Sequence, residues 1–151
     1  MSAITQRLSQ LGITLVSPGA PAAAYVMALT SGNQVYLSGH IAKRDGKPWV
    51  GKLGLDMDTA TGKTAARSIA IDLLSTLHAH IGSLDRVKRI VKVMGLVNST
   101  PEYIEHHLVV NGCSELLGEI FGDTGKHARS AFGVAQIPLG ACVEIEMIVE
   151  I

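Results

Sequence analysis

The sequence has little of what marks a secreted, membrane or nucleic-acid-binding chain. Only two cysteines, Cys113 and Cys142, stand among its 151 residues, too few for a disulfide scaffold, and they read as small core side chains kept reduced. Charge of neither sign is in excess: 13 basic side chains balance 13 acidic ones, whereas a protein that neutralises phosphates carries a basic surplus. The longest apolar run, Ala22 to Leu29, falls far short of the ~20 residues that cross a bilayer. Met1 to Arg7 lack the basic start and continuous apolar stretch of a secretory signal, so the expectation is a cytoplasmic protein with no membrane partner. What the chain does have is apolar substance: hydrophobic residues make up 47% and charged residues 17%, with mean hydropathy +0.30. That composition excludes disorder. The length suits one domain over residues 1–151, burying about two thirds of its unfolded surface. So few charges leave much apolar surface facing water, which points to subunits covering one another.

Periodicity divides the chain into helices and strands. Ser2 to Leu11 places Ile4, Leu8 and Leu11 at helical spacing before Gly12, and Pro18-Gly19-Ala20-Pro21 breaks the chain. Tyr25 to Thr30 and Gln34 to Gly39 read as a hairpin around Ser31-Gly32-Asn33. From Ala42 to Gly62, glycine, lysine and aspartate predict a long loop with a short edge strand near Trp49. Ala66, Ile69, Ala70, Leu73, Leu77 and Ile81 line one helical face up to Gly82. Ile90 to Val97 reads as a central strand, and Ser99-Thr100-Pro101-Glu102 as the start of a second long helix that ends near Gly122. Ala131 to Ile137 and Cys142 to Glu150 close the chain as strands around Pro138-Leu139-Gly140. In the last strand Val143, Ile145, Met147 and Val149 share one face, while Glu144, Glu146 and Glu150 share the other.

Several familiar motifs fail on inspection. Gly62-Lys63-Thr64 resembles the tail of a phosphate loop, but Met57 stands where the leading glycine belongs. Asp56-Met57-Asp58 begins like a calcium loop, yet Ala60 and Arg67 occupy ligand positions. His78 and His80 point to different sides of a helix, and His106 and His107 diverge by about 100°, so no metal is expected. Neither Ser38 nor Ser130 has a nucleophile-elbow frame.

What remains is the block Ala128-Arg129-Ser130 through Ile137-Pro138, followed by Val143-Glu144-Ile145-Glu146. It resembles the YjgF family of reactive-intermediate deaminases, also known as endoribonuclease L-PSP. Ala24-Tyr25, Val35 to His40 (where the family has Ser-Gly-Gln) and Val110-Asn111 fall in matching order, so the likeness runs from about Ala22 to Ile151. The resemblance implies an α+β, chorismate-mutase-like fold: a mixed sheet with two helices packed on one face, assembled as a homotrimer with a cleft at each subunit interface. Residues 1–20 would be an N-terminal helical extension on a core of residues 22–151. The implied reaction is hydrolysis of small 2-imino or enamine acids to 2-keto acids and ammonia, without cofactor, metal or nucleic acid.

The same resemblance casts Arg129 and Glu144 as catalytic and Tyr25, Ser38, Gly39, Asn111 and Ala131 as substrate-binding. Arginine can grip a carboxylate through two parallel hydrogen bonds; alternatively Arg129 caps a helix or pairs with Glu150. Glu144 can activate the attacking water, or serve as a solvated strand carboxylate. Tyr25 and Asn111 suit either ligand contacts or ordinary packing, and Ser38-Gly39 permits close approach of a ligand. Three departures favour a second reading, a trimeric carboxylate-binding or regulatory protein: Ala131 where many relatives carry cysteine, the long 42–64 stretch with Trp49, and the extra N-terminal helix. The ribonuclease label finds no basic patch or paired histidines. If Pro138 to Ala141 forms a tight hairpin, Arg129 faces Glu150 and Glu144 faces Ala135. The two catalytic candidates then stand roughly 20 Å apart along the strands at about 3.3 Å per residue, and a shared cleft requires neighbouring subunits.

Overall fold

Alternation in the last strand, β7 (Val143–Glu150), organises the molecule. The computed structural model describes Met1–Ile151. Val143, Ile145, Met147 and Val149 of β7 are buried, and Glu144 and Glu146 turn to the opposite side. β7 lies at the middle of a five-stranded sheet. Antiparallel neighbours flank it: β2 (Gln34–Ile41) on one side and β5 (Arg89–Asn98) on the other. β1 (Ala28–Ser31) forms one edge beside β2, and β6 (Ala128–Val134) forms the other, parallel to β5. A separate hairpin of β3 (Lys43–Arg44) and β4 (Lys47–Pro48) turns at Asp45-Gly46, both with positive φ. It stands beside Trp49, where sequence placed a short edge strand.

Two long helices, α2 (Thr59–Ile81) and α3 (His106–Phe121), cover the buried side of the sheet. They cross closely because Gly112 has no side chain: a Cβ there would overlap the Lys63 carbonyl of α2. Lys63–Glu115 at 2.9 Å and Arg67–Glu119 at 3.2 Å bridge the helices at the surface, each contributing under about 1 kcal/mol at that exposure. The short α1 (Ala3–Gln10), capped by Ser2, buries Leu8 and ties Arg7 to the Glu119 carbonyl at the end of α3. No helix is long and apolar enough to cross a membrane.

Four boundaries differ from expectation. α2 begins at Thr59, because the Asp58 carboxylate accepts from the Thr61 N–H and starts the helix inside the presumed loop. α3 begins at His106, seven residues beyond Ser99. Leu53 and Thr100 exchange backbone bonds with their neighbours across a bridge to β5, which keeps Ser99 and Thr100 extended. β1 starts at Ala28 rather than Tyr25, and β6 runs over Ala128–Val134 rather than 131–137.

The larger correction concerns the last two strands, which form no hairpin. Leu139 and Gly140 adopt left-handed φ of 61° and 70°, and the 135–142 connection crosses the end of β5. Buried Asn98 holds that crossing: its amide donates to Gly51 O and Gln136 Oε1, and its carbonyl oxygen accepts from Lys52 Nζ. β7 thus enters between β2 and β5. Arg129 stands opposite Val93, not Glu150, and Glu144 stands opposite Leu96 and Ile41, not Ala135.

Gly112→Ala should destabilise the fold by about 3 kcal/mol or more, since backbone rather than a flexible side chain blocks the added methyl. Urea denaturation of the two proteins measures the difference.

Candidate functional site

The register sends the two catalytic candidates to different faces of the sheet. Arg129 pairs with Val93 and Val93 with Met147, so the arginine shares the helix-covered face. Glu144, three residues from Met147, points to the open face. Two strand spacings and three residues of register put their Cα atoms about 14 Å apart.

Arg129 sits on α3. Its Nη1 donates to Asn111 Oδ1 at 2.8 Å and to Ser114 Oγ at 3.2 Å, and its Nη2 donates to the His107 carbonyl at 3.1 Å. Three acceptors on one helix hold the guanidinium by its far end. The Nε hydrogen and one Nη2 hydrogen carry no protein partner. Ala131 follows on the same face, opposite Gly95, where the glycine makes room for Val110. Arg129 and Asn111 are therefore brought together, with Ala131 one strand repeat away.

The other candidates gather on the open face. β2 bulges between Leu37 and His40, placing Ser38 and Gly39 against the strand at Glu146. Ser38 binds the incoming chain twice: its N–H donates to the Met27 carbonyl at 2.9 Å and its hydroxyl donates to the Val26 carbonyl at 2.6 Å. That contact lays Tyr25 beside Ser38 in an open groove of about 810 Å³, with Tyr36, Lys92, Met94 and Glu146. Gly39 leaves room for the Glu144 carboxylate, which a Cβ there would force to turn aside. Burial pushes the Glu144 carboxyl above its ordinary value, and the Glu146 charge pushes it further in the same direction. A raised carboxyl is a stronger proton acceptor, once ionised, than an ordinary glutamate.

Trp49 lies outside both groups, under the guanidinium of Arg44 at 5.1 Å. Cys113 and Cys142 are buried, and burial lifts their thiols to about 12 and about 11, so neither is a nucleophile at neutral pH. No three His, Cys, Asp or Glu side chains converge to hold a metal.

Sequence reasoning missed Ser114, His127 and the His107 carbonyl. Ser114 was within reach of it, three residues after Asn111 and hence on the same helical face. His127, two residues before Arg129, carries no sequence signal of its own, since it belongs neither to a metal-ligand spacing nor to a histidine pair.

A mixed five-stranded sheet with two long helices on one face is the architecture of the chorismate-mutase-like class of small α+β proteins. The chain belongs to the family described as "YjgF/chorismate_mutase-like, putative endoribonuclease", whose model matches residues 5–151. Among curated proteins it is 43% identical to Protein TCP17 of Trypanosoma cruzi, over 98% of this chain and 94% of that one. Among solved structures it is similar to Atu1372 of Agrobacterium tumefaciens, a protein of unknown function (41% identity, TM-score 0.91, 99% and 92% of the two chains). It also resembles a protein of Shewanella oneidensis named a putative endoribonuclease (29% identity, TM-score 0.94, 99% and 100%).

Glu144→Gln should raise the melting temperature at neutral pH. The folded state binds the Glu144 proton more tightly than the unfolded state, so the ionised carboxylate is a liability above its raised value. The advantage of glutamine should vanish below about pH 4.3, where both states are protonated. Thermal melts of both proteins across that range check the sign.

Proposed function

We propose that the protein is a deaminase that hydrolyses small 2-imino and enamine acids to 2-keto acids and ammonia, working as a homotrimer. The observation that carries this reading is the pair of unpartnered hydrogens on Arg129, at Nε and Nη2, beside three occupied ones. Two donors on adjacent nitrogens match the two oxygens of a carboxylate. Glu144 of a neighbouring subunit completes the cleft, because the Arg129 edge of one sheet meets the open face of the next. The apolar Val26, Leu29, Tyr36 and Phe132, each well exposed in the single chain, support such a contact.

In this cleft Arg129 holds the substrate carboxylate and fixes the adjacent imine carbon. Glu144 takes a proton from water as the water oxygen bonds to the carbon of the protonated imine and the C=N electron pair moves to nitrogen, giving the neutral carbinolamine. The carbinolamine then collapses: the Glu144 proton and the hydroxyl proton pass to nitrogen, the C–N bond breaks, the carbonyl forms, and ammonium leaves with Glu144 again a carboxylate. Tyr25, Ser38 and Asn111 line or support the bound acid, and the protein works without cofactor in the cytoplasm. The ribonuclease reading finds less support, because four imidazoles each bond a hydroxyl instead of converging: His40–Thr76, His80–Thr30, His106–Ser99 and His127–Ser114. A second reading, a carboxylate-binding regulator without turnover, is favoured by Ala131, which supplies no thiol.

Added to an amino-acid oxidase or a dehydratase that releases imines, the protein should accelerate keto-acid formation. No acceleration together with carboxylate binding would establish the regulator instead. Arg129→Lys keeps the charge but loses the fork, and should weaken carboxylate binding by about tenfold to a hundredfold, measured by calorimetry. Arg129→Ala and Glu144→Gln, inactive alone, should recover partial activity when refolded together, since some interfaces then pair the two intact residues.

A further inference from the structure

Behind Arg129 runs a chain of hydrogen bonds with a defined direction. His127 Nδ1 lies 2.6 Å from the Gly125 carbonyl. A carbonyl only accepts, so Nδ1 carries the proton and Nε2 presents its lone pair. Ser114 Oγ lies 2.8 Å from His127 Nε2 and must donate to it. The hydroxyl oxygen is then left as an acceptor, and Arg129 Nη1 donates to it at 3.2 Å. Every hydrogen in the series points from Arg129 toward Gly125.

The far end of the series is anchored. The 122–125 turn presses against the end of α3 so closely that a Cβ on Gly125 would overlap the Leu117 carbonyl. Gly125 O, Ser114 and Asn111 therefore move as one body with α3, and His127 spans from that body to the first residues of β6.

We propose that His127 and Ser114 are positioning residues for the carboxylate clamp: the imidazole, locked in its Nδ1–H tautomer, turns the Ser114 hydroxyl so that its oxygen occupies Arg129 Nη1 and the guanidinium presents its Nε edge outward. This rests on the reading of Arg129 as the carboxylate grip.

The series also makes the clamp sensitive to protonation. Burial and the Arg129 charge hold the His127 imidazole below its ordinary value, against the pull of the Gly125 bond. A proton on Nε2 turns an acceptor into a donor and removes the partner of the Ser114 hydrogen. The charged groups around it are otherwise engaged. Lys126 pairs with Asp123 in the preceding turn, Glu115 of α3 pairs with Lys63, and Lys92 of β5 bonds Ser130 on the opposite face. Cys113 of α3 stays a neutral thiol. His106 and His107, in the first turn of α3, are the other titrating groups near the clamp, and a variant lacking only His127 subtracts their contribution.

The test uses the full chain, with 2-oxobutyrate as probe and with arginine and histidine labelled with nitrogen-15. His127→Phe keeps a flat ring without nitrogen. Ser114→Ala removes the middle link with the smallest change and serves where the phenylalanine variant fails to fold. Each variant should bind 2-oxobutyrate about tenfold more weakly, and the double variant no more weakly than either alone. Wild-type affinity should fall as the pH drops below about 6.5, where His127 charges, and this fall should be absent in His127→Phe. Unchanged affinity in a folded single variant, additive losses in the double variant, or the same pH profile without His127 would overturn the proposal. If the wild type binds no 2-oxobutyrate, the clamp reading itself fails. The Arg129 Nε–H resonance then decides positioning: a shift or broadening in the variants supports it, and an unmoved signal overturns it.

Discussion

The rest of the structure depends on the burial of one face of β7 beneath the helices. A strand paired on both sides cannot slip by one residue without turning its whole apolar set outward. Val143, Ile145, Met147 and Val149 are at most 1% exposed, so the register of β2 and β5 against β7 is set by these four side chains. The same alternation leaves Glu144 and Glu146 no position except the open face. A structural requirement, keeping the apolar face dry, thereby places two carboxylates side by side where neither has a cation. Partial burial, and after it the charge of Glu146, account for the raised Glu144 carboxyl.

Arg129 shows the complementary arrangement. An edge strand has one side without a neighbour, and β6 uses its place at the sheet margin to bring a guanidinium over the first turns of α3. Asn111, Ser114 and the His107 carbonyl together occupy part of the fork, orienting it without neutralising it. No carboxylate lies within ion-pair distance of Arg129, which leaves its charge available to an anionic ligand. The proposed trimer brings this unneutralised cation to the carboxylate pair of a second chain, joining two features that a single sheet holds about 14 Å apart.

Ser38-Gly39 links the two themes. The bulge in β2 exists because two residues there oppose one on β7, and Gly39 tolerates the Glu144 carboxylate against its Cα. Directly after it, His40 turns inward, accepting the Thr76 hydroxyl at one nitrogen and facing the Ser38 carbonyl with the other.

Much of this was legible locally. The α2 face from Ala66 to Ile81, the turn at Ser31-Gly32-Asn33 and the two faces of β7 follow from side-chain period and turn chemistry, which act within a few residues. The Arg129 block and the Glu144 strand identified the family because both are contiguous in sequence. Where a competing local signal existed, it misled: Ser99-Thr100-Pro101-Glu102 has the residues of a helix start, but a bridge to Leu53 keeps it extended. Pro138-Leu139-Gly140 has the residues of a hairpin turn, but Asn98 draws the connection across β5. Only the tertiary structure decided that β6 lies parallel to β5, that Arg129 and Glu144 occupy opposite faces, and that His127 and Ser114 stand behind the guanidinium. The physical reason is common to all three. Each depends on which strand pairs with which, and that choice is made by contacts between residues tens of positions apart, to which no periodicity or motif within one segment responds.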